Sequence, residues 1–392
     1  MADQNKEQNL KKNIAILGWA SFFEDVSSQM NYSLLPLFLA NVLGVNKAFI
    51  GLIEGIAETT ASFLKVLFGW LSDKLKSRKI FILTGYGITA VSRPFLSIAS
   101  RGWHVLGLRF LDRSGKGMRT SPRDALIADS CTESERGRAF GFHRAMDTSG
   151  AVVGPLLAFF LFSKAGMNYR SIFLISVIPA IVAVLLVSMA REKKSIISEV
   201  QNLQDKSVNE KLPADFKKFL FVIGLFTLGN SSDAFLILRA NNVGVSPMFI
   251  PILWLTFNST YAVSSLPSGI ASDRIGSKRV ITYGFLIYAL VYFGFAFASF
   301  QYQAWLLFII YGFYYGLTDG VSRSFVSKMI LPQHRATAFG IYHAVVGLIA
   351  LPASLLMGFL WDWRGPRIAF MFGMSLALIS ALLLATFNLK EK

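Results

Sequence analysis

Twelve apolar stretches alternate with polar connections along this chain, at roughly 14–40, 48–72, 80–100, 104–128, 137–163, 171–190, 219–238, 248–270, 280–299, 303–328, 336–361 and 368–388. Each has the length, about 20 residues, that a helix needs to cross the hydrocarbon core of a bilayer. Inside that core every backbone N–H and C=O has to be satisfied within its own segment or a closed barrel, which favours helices here. The pattern predicts an all-α membrane protein with twelve transmembrane helices. A single long polar connection, Arg191 to Lys218, divides the series into two halves of six. The expected organisation is a tail over 1–13, a six-helix half over 14–190, a cytoplasmic linker over 191–218, a second six-helix half over 219–388 and a tail over 389–392.

Composition agrees and removes other classes. Of 392 residues, 53% are hydrophobic and 16% are charged, against roughly 25% charged in an ordinary soluble domain. A soluble chain of this size needs more charge on its surface. The net charge of +16 raises nucleic acid as a partner, but the basic residues gather in short loops where they set topology instead. With the N-terminus inside, about 23 Lys and Arg fall at inner loops, tails and inner helix ends. Only Lys47, Arg101, Lys164, Arg170, Arg239, Arg364 and Arg367 fall outside. Both termini are therefore expected in the cytoplasm, with the chain in a bacterial inner or plasma membrane. Residues 1–13 lack the apolar core of a signal peptide, so the first stretch is expected to be retained as a helix. Cys131 is the single cysteine, and His104, His143, His334 and His343 show no zinc-ligand spacing. No Ser-His-Asp order, metal-ligand set or nucleotide loop argues for an enzyme, a cofactor or an ATP-driven pump. The expected partners are the lipid bilayer, a small-molecule substrate and protons, with no nucleic acid and the protein acting as a monomer.

The halves repeat each other. Gly69-Trp-Leu-Ser-Asp73-Lys-Leu-Lys-Ser-Arg78-Lys79 returns 200 positions later as Gly269-Ile-Ala-Ser-Asp273-Arg-Ile-Gly276-Ser-Lys278-Arg279. Arg136-Gly-Arg-Ala139-Phe140-Gly141 returns after 199 positions as Arg335-Ala-Thr-Ala338-Phe339-Gly340. Internal symmetry of this kind suits a transporter whose halves rock about a shared central site. The doubled loop resembles the signature of the major facilitator superfamily, with Lys76 in the first copy where the second keeps Gly276. In the fifth span, Gly150-Ala-Val-Val-Gly154-Pro155 resembles the glycine-proline motif of drug/proton antiporters in that superfamily. The resemblance runs over roughly Ile14 to Phe387 and implies a secondary transporter in which spans one, four, seven and ten line the centre.

The distribution of charge points the same way. The third, sixth, ninth and twelfth spans are nearly free of it, interrupted only by Arg93, whereas the first, fourth, seventh and tenth carry Glu24 and Asp25, Arg109 through Asp124, Asp233, and Asp319 with Arg323. A charge at membrane depth costs about 2.5–3.5 kcal/mol unless it meets a cavity or a partner. The polar spans are therefore expected to face water.

Arg109, Asp112, Arg113, Lys116, Arg119 and Arg123 follow steps of mostly three and four residues, one broad helical face. Arg109, Arg113 and Lys116 are candidates for gripping an anionic substrate; the alternative is internal pairing, which is the expectation for Arg119 and Arg123. Asp25, Asp233 and Asp319 complete the candidate substrate contacts. Glu54, Glu58, Asp147 and again Asp25 are candidates for carrying a proton, because a carboxylate in low dielectric readily holds one. Pairing of the two glutamates with Lys65, Arg93 or Lys116, and of Asp147 with Arg144, is the structural alternative. Glu24 and Asp25 point about 100° apart on a helix and should serve different roles. Gly69, Asp73, Arg78, Gly269, Asp273 and Arg279 are expected to latch or anchor the loops, and Gly150, Gly154 and Pro155 to allow tight helix packing.

The leading expectation is proton-coupled export of a small organic anion. Alternatives are drug efflux through an aromatic cavity drawing on Trp19, Phe22, Tyr32, Phe226, Phe235, Trp254 and Tyr314, and proton-coupled anion import. Cysteine labelling should place residues 1–12, 192–215 and 389–392 on the cytoplasmic side. An external 192–215 segment would overturn the two-half organisation.

Overall fold

The computed structural model describes residues 2–75, 77–131, 136–192, 213–330 and 335–389, with 2–11, 136–137 and 335–337 as backbone alone. Most of the 191–218 linker, Lys76 and the last three residues of the C-terminal tail lie outside the described residues. Twelve helical spans follow one another: α1 (Ala2–Tyr32, continued by Leu35–Leu37 and a π-helical turn Phe38–Val42), α2 (Lys47–Lys74), α3 (Lys79–Ile98), α4 (Gly102–Asp129), α5 (Arg136–Ser163), α6 (Tyr169–Ile175 and Val177–Met189), α7 (Ala214–Gly229 and Ala234–Asn242), α8 (Ile250–Ile275), α9 (Ser277–Phe297), α10 (Gln301–Met329), α11 (Arg335–Arg364) and α12 (Pro366–Thr386). Among the described residues, α5, α6, α7, α9, α10, α11 and α12 are long and apolar enough to cross a membrane on composition alone. The remaining five are more polar. Pro94, Pro122, Pro155, Pro267 and Pro352 sit within α3, α4, α5, α8 and α11, a placement that packed membrane helices tolerate.

Two of the breaks have local causes. α1 stops short of Pro36, which lacks an N–H, and the continuation ends at Gly44, whose φ of +65° is the left-handed conformation that closes helices. The α8–α9 turn depends on Gly276 at φ +93°, the glycine kept in the second signature loop. In α7 the helix opens over Asn230 to Asp233, where Ser232 Oγ accepts from the Ala234 N–H at 3.3 Å and Ser354 Oγ from the Ser232 N–H at 3.2 Å.

Contacts divide the chain into two compact units, one of Met1–Leu35 with Thr60–Lys206 and one of Pro36–Thr59 with Ser207–Lys392. In the first unit α1 packs on α5 and α6, and α3 on α4 and α6. In the second, α7 packs on α11 and α12, and α9 on α10 and α12. This is the same scheme six helices later. Close contacts repeat as well. Gly85 of α3 meets Gly115 of α4, where a Cβ on either would stand 2.6 Å from the other's carbonyl oxygen. Gly284 of α9 meets Thr318 of α10 at the corresponding place. Gly117 faces Leu64 of α2, and Gly316 faces Ser264 of α8. Lys79 Nζ donates to the carbonyl of Ser188 at 2.7 Å, closing the end of α6. Lys278 Nζ donates to Ala385 at 2.9 Å and Phe387 at 2.7 Å, closing the end of α12.

The second unit also takes in the first half of α2. Asp362 accepts from the backbone N–H of Lys47 at 3.1 Å and of Ala48 at 2.7 Å, capping the start of that helix. A Cβ on Gly55 would stand 2.8 Å from Leu351 Cα, and Thr59 Oγ1 donates to the Gly347 carbonyl at 2.6 Å. Small residues thus bring α2 and α11 into backbone contact.

The α3–α4 crossing positions the charged network of the first unit, so it is the place to test packing. Gly115→Val should lower the melting temperature in detergent, because the added atoms overlap Gly85 and Thr89 at a cost of about 1–3 kcal/mol. Gly107→Ala on the same helix, where a Cβ meets nothing within 4 Å, should leave it unchanged.

Candidate functional site

In the first unit, α1 presents Ser21, Glu24 and Asp25 within about one turn. Glu24 is 2% exposed. Its Oε1 accepts from Arg93 Nη2 of α3 at 2.5 Å and from Arg119 Nη2 of α4 at 2.8 Å. Arg119 also lies 4.6 Å from the centre of the Tyr86 ring. One carboxylate thus ties three helices together through charge-assisted hydrogen bonds. Arg93, the residue that interrupts an otherwise apolar third span, is turned inward to this carboxylate rather than to lipid.

Asp112 lies next to this bridge. Arg93 Nη2, Arg109 Nη1 and Arg113 Nε stand 3.8, 3.8 and 3.9 Å from its oxygens. Arg109 also sits 5.8 Å from the centre of the Tyr32 ring. The cationic face of α4 is therefore divided. Arg109, Arg113 and Arg119 are buried, Lys116 is exposed, and Arg123 pairs with Asp124 at 3.0 Å.

Asp25 faces away from the Glu24 bridge. It lies near Asp147 of α5, with Lys116 and Glu24 also acting on it through space. Asp147 Oδ1 accepts from Ser21 Oγ at 2.7 Å, and its Oδ2 from Arg144 Nη1 at 3.2 Å. Gly150 makes this possible, since a Cβ there would stand 3.0 Å from Asp25 Cβ. At Gly154, one turn on, a Cβ would stand 2.6 Å from the Val26 carbonyl oxygen. The glycine-proline motif accordingly brings α5 against α1 at the level of the two aspartates.

The second unit has a different chemistry. Where α7 opens, Asp233 accepts from Tyr311 Oη at 2.6 Å and from Tyr315 Oη at 3.3 Å. Glu58 and Glu54 act on Asp233 through space, and Ser232 Oγ donates to Glu54 at 3.5 Å. Tyr261 Oη donates to Asp319 at 2.7 Å, and Asp319 also pairs with Arg323. Phe257 packs against Tyr261, Tyr311 and Tyr315, and Trp254 against Phe257. Phe226 stacks on Phe285, and Tyr314 meets Tyr288 edge to face.

At the signature loops, Arg78 stands 2.9 Å from Asp129 and 3.5 Å from Asp73. The start of α3 is capped by Glu192, which accepts from the N–H groups of Arg78 and Lys79. In the second copy Asp273 meets Lys328 at 3.3 Å, and Arg279 is exposed.

The fold brings together Asp25 with Asp147, and Asp233 with Glu54 and Glu58. It separates Asp319, held by Arg323, from that group, and divides Glu24 from Asp25 as their angular offset requires. Sequence reasoning missed Arg93 as a site residue, although a lone arginine in an apolar span is itself a signal. It also missed Tyr261, Tyr311, Tyr315 and the cap from Glu192, which nothing in their spacing marks.

Residues 17–238 and 219–392 each match the profile of the Major Facilitator Superfamily. An MFS-type transporter from Methanocaldococcus jannaschii is 37% identical over 396 residues, covering 98% of both chains. A Lactococcus lactis homologue of the multi-drug resistance efflux pump PmrA is 25% identical, over 91% of this chain and 89% of its own. The crystal structure of the nucleoside transporter NupG shares the fold with a TM-score of 0.75 at 17% identity, covering 96% of this chain and 100% of that one. Twelve helices in two pseudo-symmetric halves, each matching the same profile, and a relative similar from end to end establish that the chain belongs to the major facilitator superfamily and is an integral, multi-pass secondary transporter.

Proposed function

We propose that the protein carries a small organic anion across the plasma membrane by alternating access, coupled to protons, with both termini in the cytoplasm. The observation behind this is the exposed Lys116 acting through space on Asp25, whose carboxyl group lies near that of Asp147. A proton bound by the aspartate pair removes negative charge from beside the lysine, and an anion bound by the lysine favours that proton in turn. Linkage of this kind is reciprocal. It favours movement of anion and proton together, which under an inward proton gradient is uptake. The sequence expectation of export rests instead on the span-five motif, and the name of one relative, a multi-drug resistance efflux pump homologue, supports that direction.

A second reading has its own support. The carboxylates and tyrosines around Asp233 suit a cationic amphipathic compound. A cation competes with protons for carboxylates, which favours exchange and therefore export. The two readings predict opposite responses to an imposed gradient.

In proteoliposomes, acid outside should accelerate uptake of organic anions by the first reading. Acceleration by acid inside, with cationic substrates, would establish the second. Lys116→Gln should raise the Kd for the transported anion about tenfold, the loss of one charge-assisted contact of roughly 1.5 kcal/mol, with little change in melting temperature because the side chain is exposed. Asp25→Asn should abolish the response to the pH gradient while leaving anion counterflow. If Asp25→Asn still accumulates substrate along the gradient, the aspartate pair is not the coupling site.

A further inference from the structure

Asp112 has three guanidinium groups around it, at 3.8–3.9 Å. These are ion-pair distances, beyond the 2.7–2.9 Å of a charge-assisted hydrogen bond. Among the described residues Asp112 forms no hydrogen bond, and its side chain is 18% exposed. Arg93, by contrast, is 2% exposed, and its Nη1 makes no hydrogen bond among the described residues. A buried guanidinium nitrogen without an acceptor is costly. Glu24 does not supply the acceptor, because its contact goes to Nη2. Three guanidiniums of α3 and α4 thus form a cradle around one carboxylate of the same chain.

We propose that Asp112 holds the place of the substrate's own carboxylate or phosphate, and that the substrate displaces it and docks on Arg93, Arg109 and Arg113. The inference rests on the anionic-substrate reading and names the group recognised. Two oxygens presented in a plane match the fork of a guanidinium. An incoming oxyanion not tethered to α4 can approach to hydrogen-bonding distance, which Asp112 does not reach. The partial exposure of Asp112 gives its side chain somewhere to move. Arg93 thereby becomes a substrate contact on a span that composition alone assigns to lipid.

The test uses the purified full-length protein in detergent, with acetate and inorganic phosphate as probes against chloride at equal ionic strength. Asp112→Asn is chosen because it is isosteric. Truncation to alanine would leave a hole that any small anion fills, whereas an asparagine that merely packs there leaves no room. The proposal expects Asp112→Asn to melt below wild type in chloride and to recover, saturably, on addition of an oxyanion. It should bind that oxyanion about tenfold more tightly than wild type. Recovery by acetate alone indicates a carboxylate substrate, and recovery by phosphate alone a phosphate ester. Adding Arg93→Gln should abolish the recovery. Absence of recovery with either anion, or recovery that survives Arg93→Gln, overturns the proposal. If Asp112→Asn does not fold, Asp112→Glu decides. Its longer carboxylate should fill the cradle and weaken oxyanion binding about tenfold relative to wild type, and unchanged binding overturns the proposal. A wild type that transports no anion under either gradient defeats the functional reading, while the binding result on Asp112→Asn stands separately.

Discussion

The structure of the first unit depends on the burial of Glu24. A carboxylate withdrawn from water needs compensation, and two guanidiniums from different helices provide it. Removing one partner from such a bridge typically costs about 3–5 kcal/mol, because the remaining charge is left buried and unpaired. The bridge fixes the rotation of α1 about its own axis. That rotation points Glu24 at α3 and α4 and turns Asp25, one residue on, towards Asp147 and Lys116. Two adjacent acids are thereby separated into a structural anchor and a candidate proton site. The close approach of Gly150 and Gly154 to α1 holds the second half of this arrangement in place.

The two units share one framework and fill it with different chemistry. Gly117 and Gly316 lie 199 positions apart and make the same helix contact. At the same offset Asp112 corresponds to Tyr311 and Lys116 to Tyr315. The first unit therefore has charged side chains where the second has phenols. The tyrosines hydrogen-bond Asp233 at the break in α7, and the guanidiniums surround Asp112. Pairing an acid with a phenol leaves its charge uncompensated, whereas pairing it with arginine neutralises it. The units thus present opposite electrostatic character on matching helices.

Coupling follows from charge alone. An anion and a proton favour each other at a shared site, while a cation and a proton compete, so the sign of the substrate fixes whether the two move together or in exchange. The proposed anion-and-proton site of the first unit rests on the through-space action of Lys116 on Asp25.

Twelve apolar stretches of bilayer length, the biased lysines and arginines, and the doubled loop around Asp73 and Asp273 determined the fold before any coordinates. A membrane restricts the chain to helices, so counting apolar runs is close to counting elements. The acids and bases of spans one, four, five, seven and ten were also legible, because charge at that depth is costly and has to have a purpose. Only the tertiary structure decided which partner each would meet. It joined Glu24 to Arg93 and Arg119, Asp25 to Asp147, and Glu54 to Ser232 and Asp233, and it assigned the cap on α3 to Glu192. Helical periodicity gives the direction a side chain leaves its own helix, but the helix it finds there is set by packing between segments far apart in sequence. At Gly85 and Gly115, or Gly150 and Asp25, that packing is decided by the absence of a Cβ, whose effect appears only when two helices are brought together.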